Sequence, residues 1–203
     1  MRVLFAAFLL SLALVRPATA ADPEHETAIL AGGCFWCVEA DFDQVPGVLE
    51  TVSGYTGGHL DRPTYEQVGR KATGHHEAVR ITYDPQVLGY EEVLAIFWRS
   101  IDPTDAGGQF CDRGEPYETG VFVLNETQRA IAERSKAEAE AALGRPIVTP
   151  VESAGPFWPA EDYHQDYHDK SAIAYKFYRW RCGRDQRIRE LWGDQAHRGI
   201  GKE

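Results

Sequence analysis

The stretch Thr27-Ala28-Ile29-Leu30-Ala31-Gly32-Gly33-Cys34-Phe35-Trp36-Cys37-Val38-Glu39-Ala40-Asp41-Phe42 reads as a short apolar strand, a two-glycine turn and the start of a helix. Glycines at such a junction let the backbone reverse sharply and leave the next residue, Cys34, at the helix start. A helix N-terminus offers unpaired N–H groups and partial positive charge, so Cys34 is expected to be unusually acidic. Cys37 lies one turn further along the same face. Phe35 and Trp36 are an unusual choice beside a nucleophile unless they wall a pocket for something apolar. Two plainer readings stand beside redox chemistry: a structural Cys34–Cys37 disulfide, or part of a zinc site. A loop this short gains little from a crosslink. Zinc usually takes a second pair at similar spacing, whereas Cys111 and Cys182 stand alone in the sequence. Redox or nucleophilic chemistry is therefore preferred.

Outward from this junction the chain alternates between strands and helices. Val48–Tyr55 reads as a strand running into a glycine-rich loop over 56–63, and Glu77–Tyr83 alternates at period two until Asp84-Pro85 stops it. Tyr90–Ile101 is an amphipathic helix with Val93, Leu94, Phe97 and Trp98 on its apolar side. Gly120–Leu124 is a further strand. Asn125 with Gln128 caps a long solvated helix that Gly144-Arg145-Pro146 ends. Pro146–Val151 is a candidate strand and Glu161–Lys170 a short helix, with loops over 102–118 and 153–160. Hairpin-capable strands with helices between them predict an α+β two-layer sandwich.

The first twenty residues read as a signal peptide. Arg2 is followed by an apolar run too short to span a bilayer, then by the small-residue cleavage site Ala18-Thr19-Ala20. One catalytic domain over 21–203 is expected, exported and periplasmic or secreted, with no membrane association once the leader is cleaved. The whole chain has 203 residues and a formal net charge of −10, which argues against nucleic acid as a partner. Removing Arg2 and Arg16 with the leader makes the remainder more acidic still.

Further residues bring a family into view. Gly33-Cys34-Phe35-Trp36, Gly54-Tyr55-Thr56-Gly57-Gly58, Pro63-Thr64-Tyr65 and Thr73-Gly74-His75-His76-Glu77-Ala78-Val79 follow one another in order. Tyr83-Asp84-Pro85, Phe97-Trp98, Asp102-Pro103-Thr104 and Ala160-Glu161-Asp162-Tyr163-His164-Gln165 continue the series. Together they resemble methionine sulfoxide reductase A over nearly all of the chain beyond the leader. The expected architecture is a ferredoxin-like mixed sheet packed with helices and long loops. The resemblance implies that Cys34 attacks the sulfoxide sulfur and Glu77 serves as the acid for the departing oxygen. Tyr65 and Tyr117 match tyrosines that hydrogen-bond that oxygen, Phe35 and Trp36 match the walls around the substrate methyl, and Asp112 matches an acidic residue near the substrate.

Oxygen is then left on Cys34 as a sulfenic acid, which a nearby thiol resolves. Here the chain departs from the commonest family pattern, in which glycine follows the Phe-Trp pair and the resolving cysteines lie near the C-terminus. Cys37 is favoured as first resolver, with Cys182 either taking the disulfide next or resolving directly. Cys111 reads as a semi-buried thiol without a role. The resemblance also implies the S epimer of methionine sulfoxide, free or in proteins, as substrate and a thioredoxin-like protein as reductant. A monomer with no cofactor and no metal is expected. His164 and His168 stand four apart but lack the glutamate of a metalloprotease between them, so they read as structural. The rival from another class is a thioredoxin-like thiol-disulfide exchange module using Cys34 and Cys37.

Overall fold

Alternating apolar residues in the first strand decide the layering. The computed structural model describes residues 24–201, so the leader reading falls outside the described residues. Strand β1 (Glu26–Gly32) lies inside the sheet: Ala28 and Leu30 join the larger core, while Ile29 and Ala31 pack with Ala78 and Phe122 on the opposite side. The turn after it feeds helix α1 (Phe35–Phe42), which leads to strand β2 (Val48–Thr56), the short helix α2 (Tyr65–Gly69) and strand β3 (His76–Tyr83). Helix α3 (Tyr90–Trp98) follows, then the small hairpin β4 (Gly108–Gln109) and β5 (Asp112–Arg113), and strand β6 (Thr119–Val123). Helix α4 (Glu126–Leu143) precedes the short strands β7 (Val151–Ser153) and β8 (Trp158–Pro159). The described chain closes with helices α5 (Tyr167–Lys170), α6 (Ala172–Arg181) and α7 (Arg184–Trp192) and a final short turn.

The main sheet has six strands in the order β7-β6-β1-β3-β2-β8. Every pairing is antiparallel except β6 with β7. The expected α+β mixed sheet with packed helices is what the chain forms. Val38 and Phe42 of α1, Leu94 and Phe97 of α3 and Ala132 and Ala139 of α4 enter one core with the larger face of the sheet. Burial of the Val, Leu and Phe side chains contributes roughly 1.5–3 kcal/mol each, which is what holds the helices to the sheet.

The long helix begins and ends where its caps predict: Asn125 Oδ1 accepts from the Gln128 N–H at 2.9 Å, and Gly144 closes it at φ 66°. Several boundaries differ from the sequence reading. The strand expected at 146–151 is displaced to β7, because Pro146 and Pro150 have no N–H to give a ladder. The loop over 102–118 contains the β4–β5 hairpin and a single 3-10 turn, Glu115–Tyr117, and β8 lies within the segment read as a loop over 153–160. The helix expected over 161–170 shrinks to α5. Helices α6 and α7, which the sequence reading did not anticipate, pack beside α1. Among the described residues no helix is long and apolar enough to cross a membrane.

Candidate active site at the start of helix α1

Gly33 turns the chain into α1 at φ +83°, and an added Cβ there would come within 2.5 Å of Gln109 Cβ, so only glycine fits. Cys34 occupies the N-cap but caps nothing with its side chain. That task falls to a distant strand: Glu77 Oε2 accepts from the Phe35 N–H at 3.0 Å. In β3, Glu77 pairs with Tyr55 of β2, which fixes the carboxyl beneath the helix start. A helix end thus has its unpaired donor satisfied, and the sulfur of Cys34 remains free for chemistry.

Burial sets the protonation states here. Glu77 is 3% exposed, and its desolvation, opposed by the Phe35 hydrogen bond, raises its pKa to about 8. It therefore holds its proton at neutral pH. The expectation of an acidic Cys34 is corrected: burial first, then Cys37 and Glu77, push the Cys34 thiol well above its ordinary value. A helix start of modest length does not offset that desolvation. Cys37 is pulled the other way, chiefly by its hydrogen bond with Cys34 and then, against its own burial, by Arg184 and Arg179. Both cysteines are free thiols, 6% and 2% exposed.

Around this pair the structure gathers most of the residues singled out from the sequence. Tyr65 and Tyr117 both lie within electrostatic reach of Glu77, Cys34 and Asp112. Burial raises the Tyr65 phenol to about 12 and the Tyr117 phenol further, so both remain proton donors. Phe35 is buried against Tyr55, Tyr65 and His164. Trp36, half-buried, stacks on Tyr167 at 3.9 Å between ring centroids. Its indole N–H donates to His164 Nδ1 at 3.1 Å. His164 is thus part of the aromatic wall, a structural histidine as expected, and burial lowers its pKa, keeping it neutral. Glu161 organises the same wall, accepting from the Tyr65 N–H and the Tyr55 hydroxyl at 2.9 and 3.0 Å.

Two features lie beyond what the sequence reading proposed. Cys111 and Cys182 form a disulfide, which replaces the semi-buried free thiol expected at position 111. The residues beside that bridge face the site: the Tyr178 hydroxyl donates to Asp112 Oδ2, and Tyr178 packs against the cluster holding Cys34 and Cys37. The other feature is a buried ionic cluster behind α1. Arg179 pairs with Asp41 and Asp185 at 2.7 Å each, and the fully buried Arg184 donates to the carbonyls of Gly32 and Ser100 at 3.1 and 2.8 Å. Sequence signals for both were absent, since each joins positions far apart in the chain. Cys111, Asp112 and Cys182 also offer three metal-binding atoms within 4.8 Å, but both sulfurs are spent in the disulfide.

A thiol placed to attack, beside an acid that keeps its proton at neutral pH, makes this a thiol-dependent oxidoreductase built on an α+β sheet. Comparisons with known proteins sharpen that class. The family model for peptide methionine sulfoxide reductase matches residues 26–196. A peptide methionine sulfoxide reductase, MsrA 2 of Rhizobium meliloti, is 54% identical over 200 residues, covering 98% of each chain. MsrA of Bacillus subtilis is 51% identical over 172 residues, covering 84% of this chain and 97% of its own. Among solved structures, reduced Mxr1 from Saccharomyces cerevisiae superposes with a TM-score of 0.71 at 28% identity, over 79% of this chain and 93% of that one. The chain belongs to the peptide methionine sulfoxide reductase family. It reduces methionine sulfoxide to methionine and so repairs oxidised proteins.

Proposed function

We propose that Cys34 carries this reduction as nucleophile on the S epimer, free or protein-bound, with Glu77 as acid. The observation that supports it is the 3.0 Å hydrogen bond from the Phe35 N–H to Glu77 Oε2, which sets the carboxyl and the thiol on the same small niche. Sulfoxide oxygen is a poor leaving group until it is protonated or held by donors. Glu77, protonated below about pH 8, supplies that proton, and the phenols of Tyr65 and Tyr117 hydrogen-bond the same oxygen. Phe35 and Trp36 enclose the substrate methyl, and Asp112 orders the groups beside it.

The Cys34 sulfur bonds to the sulfoxide sulfur, oxygen passes to Cys34 and methionine leaves, giving the sulfenic acid. Cys37 then attacks Cys34, expelling water and closing the Cys34–Cys37 disulfide. Cys182, held by Cys111 in this state, enters only in a later exchange. A dithiol protein of the thioredoxin class restores the pair, without a resident cofactor or metal; the family resemblance supports this, and yeast Mxr1 has itself been solved in complex with Trx2. The leader-like residues 1–20 support export of one catalytic domain over 21–203, periplasmic or secreted.

The test is turnover on both sulfoxide epimers by the wild type and by Glu77→Gln. Reduction of the S epimer alone, with kcat/KM about a hundredfold lower in the variant, is expected for the loss of a general acid. A variant as fast as wild type overturns the assignment of Glu77.

A further inference from the structure

A thiol whose proton is held as firmly as that of Cys34 needs somewhere to send it when it attacks, and Glu77 cannot be that place. Glu77 is itself protonated and is committed to the oxygen. Beside the sulfur stands Tyr178 of α6, which packs against the cluster holding Cys34 and Cys37 and donates its hydroxyl proton to Asp112 Oδ2. We infer that Tyr178 and Asp112 form a proton relay that removes the Cys34 thiol proton during attack, with the phenol passing it to the carboxylate. This rests on the nucleophilic role of Cys34 proposed above and adds the base to a site that otherwise has only an acid.

The step balances. The Cys34 S–H proton moves to the Tyr178 oxygen while the phenol's own proton moves to Asp112 Oδ2. The freed sulfur lone pair forms the bond to the sulfoxide sulfur, and Glu77 delivers its proton to the sulfoxide oxygen. Collapse of that adduct breaks the old S–O bond, leaves the hydroxyl on Cys34 and releases the thioether. When Cys37 closes the disulfide, the proton on Asp112 returns through the phenol to the departing hydroxide, making water. The proton lost by Cys37 restores Glu77 through solvent.

Placement supports the relay independently of any titration. Tyr178 stands one helical turn before Cys182, whose N–H donates to the Tyr178 carbonyl at 2.9 Å. Asp112 directly follows Cys111. The disulfide therefore ties together the two backbone segments that carry the phenol and the carboxylate, with Cα atoms 4.9 Å apart at the bridge. Buried hydrogen-bonded pairs of this kind transfer protons well only when held in register. The charged and titratable groups facing the relay are Cys34 and Cys37 from α1, Glu77 from β3 and Arg184 from α7, with Tyr65 and Tyr117 beyond Asp112. Desolvation raises Asp112 above its ordinary carboxylate range, which makes it a better acceptor.

Two readouts test this on the reduced full chain: single-turnover reduction of methionine S-sulfoxide, and the rate at which iodoacetamide alkylates Cys34, followed by peptide mass. Tyr178→Phe and Asp112→Asn are each compared with wild type from pH 6 to 10. Expected is a loss of about a hundredfold in single-turnover rate near neutral pH with KM little changed, typical of losing proton transfer. Alkylation should slow in both variants as well, and both gaps should close as pH rises and the thiol ionises unaided. Wild-type rates in Tyr178→Phe, or losses equal at every pH, overturn the relay. Turnover that falls while alkylation is unchanged also overturns it, because the phenol then serves the substrate and not the thiol. Alkylation that responds as expected in a protein unable to reduce the sulfoxide leaves the relay standing and refutes the proposed role of Cys34.

Discussion

The molecule holds two cysteine pairs that differ in every physical respect. Cys34 and Cys37 lie in one turn of one helix, buried and reduced; Cys111 and Cys182 join a hairpin to a C-terminal helix 71 residues away, and Cys111 is exposed. A crosslink within one turn removes little freedom from the unfolded chain, so closing and opening it costs the fold almost nothing. That suits a bond made and broken in every cycle. A bridge across a loop of this size contributes about 4 kcal/mol by the same chain-entropy argument. On the proposed reading the first pair does the chemistry, and the second holds its surroundings in place until a later exchange reaches Cys182.

The comparison breaks most visibly at position 37. Cys37→Ser should still complete one turnover, because the sulfenic acid forms without it, but later turnovers should slow by at least about a hundredfold as the neighbouring thiol is lost. Quenched single-turnover and steady-state assays separate the two. Recycling at wild-type speed would transfer the resolving role to the other pair. The double change Cys111→Ser/Cys182→Ser should lower unfolding stability by about 4 kcal/mol in denaturant titrations. It should leave Cys34–Cys37 disulfide formation intact. A variant as stable as wild type would mean that the bridge constrains nothing.

The smallest expected effect separates the two regions by pH. Glu39 in α1 and Glu77 beneath its start have pKa values raised to about 8, mainly by burial. Each holds a proton in the folded chain that the unfolded chain releases near 4.5. Stability from these groups is therefore complete below about pH 4.5 and is lost as pH rises through 8. Glu39→Gln should recover about 1–2 kcal/mol at pH 8.5 and leave stability at pH 5 nearly unchanged. Chemical denaturation at the two pH values reads this directly. An equal effect at both would show that Glu39 is charged throughout.

Legibility from sequence followed the range of the interactions. The apolar strand β1, the period-two strand β3 and the capped helix α4 depend on near neighbours, and their boundaries came within a residue or two. The turn that puts Cys34 at a helix start was legible for the same reason. Tyr65, Tyr117, Glu77 and Asp112 were found through family motifs; nothing local distinguishes a tyrosine turned towards this site from any other in a loop. The acidity expected of Cys34 failed because a helix start is visible in sequence and desolvation is not. The C-terminal helices were missed for a related reason. Their segment is rich in Arg and aromatic residues and lacks a clean apolar stripe, because Arg179 and Arg184 bury charge against Asp41 instead of burying hydrocarbon.

Arg184 reaches back 152 residues to the carbonyl of Gly32, immediately before the turn that carries Cys34. During synthesis that turn is therefore made long before the cation that anchors it. A nascent polypeptide that stops short of α7 would carry the Cys34 sulfur without its surroundings, and competence would begin only when α6 and α7 dock. Turnover thus reports that translation has passed α7, and products shortened before it should be inert before they are unstable.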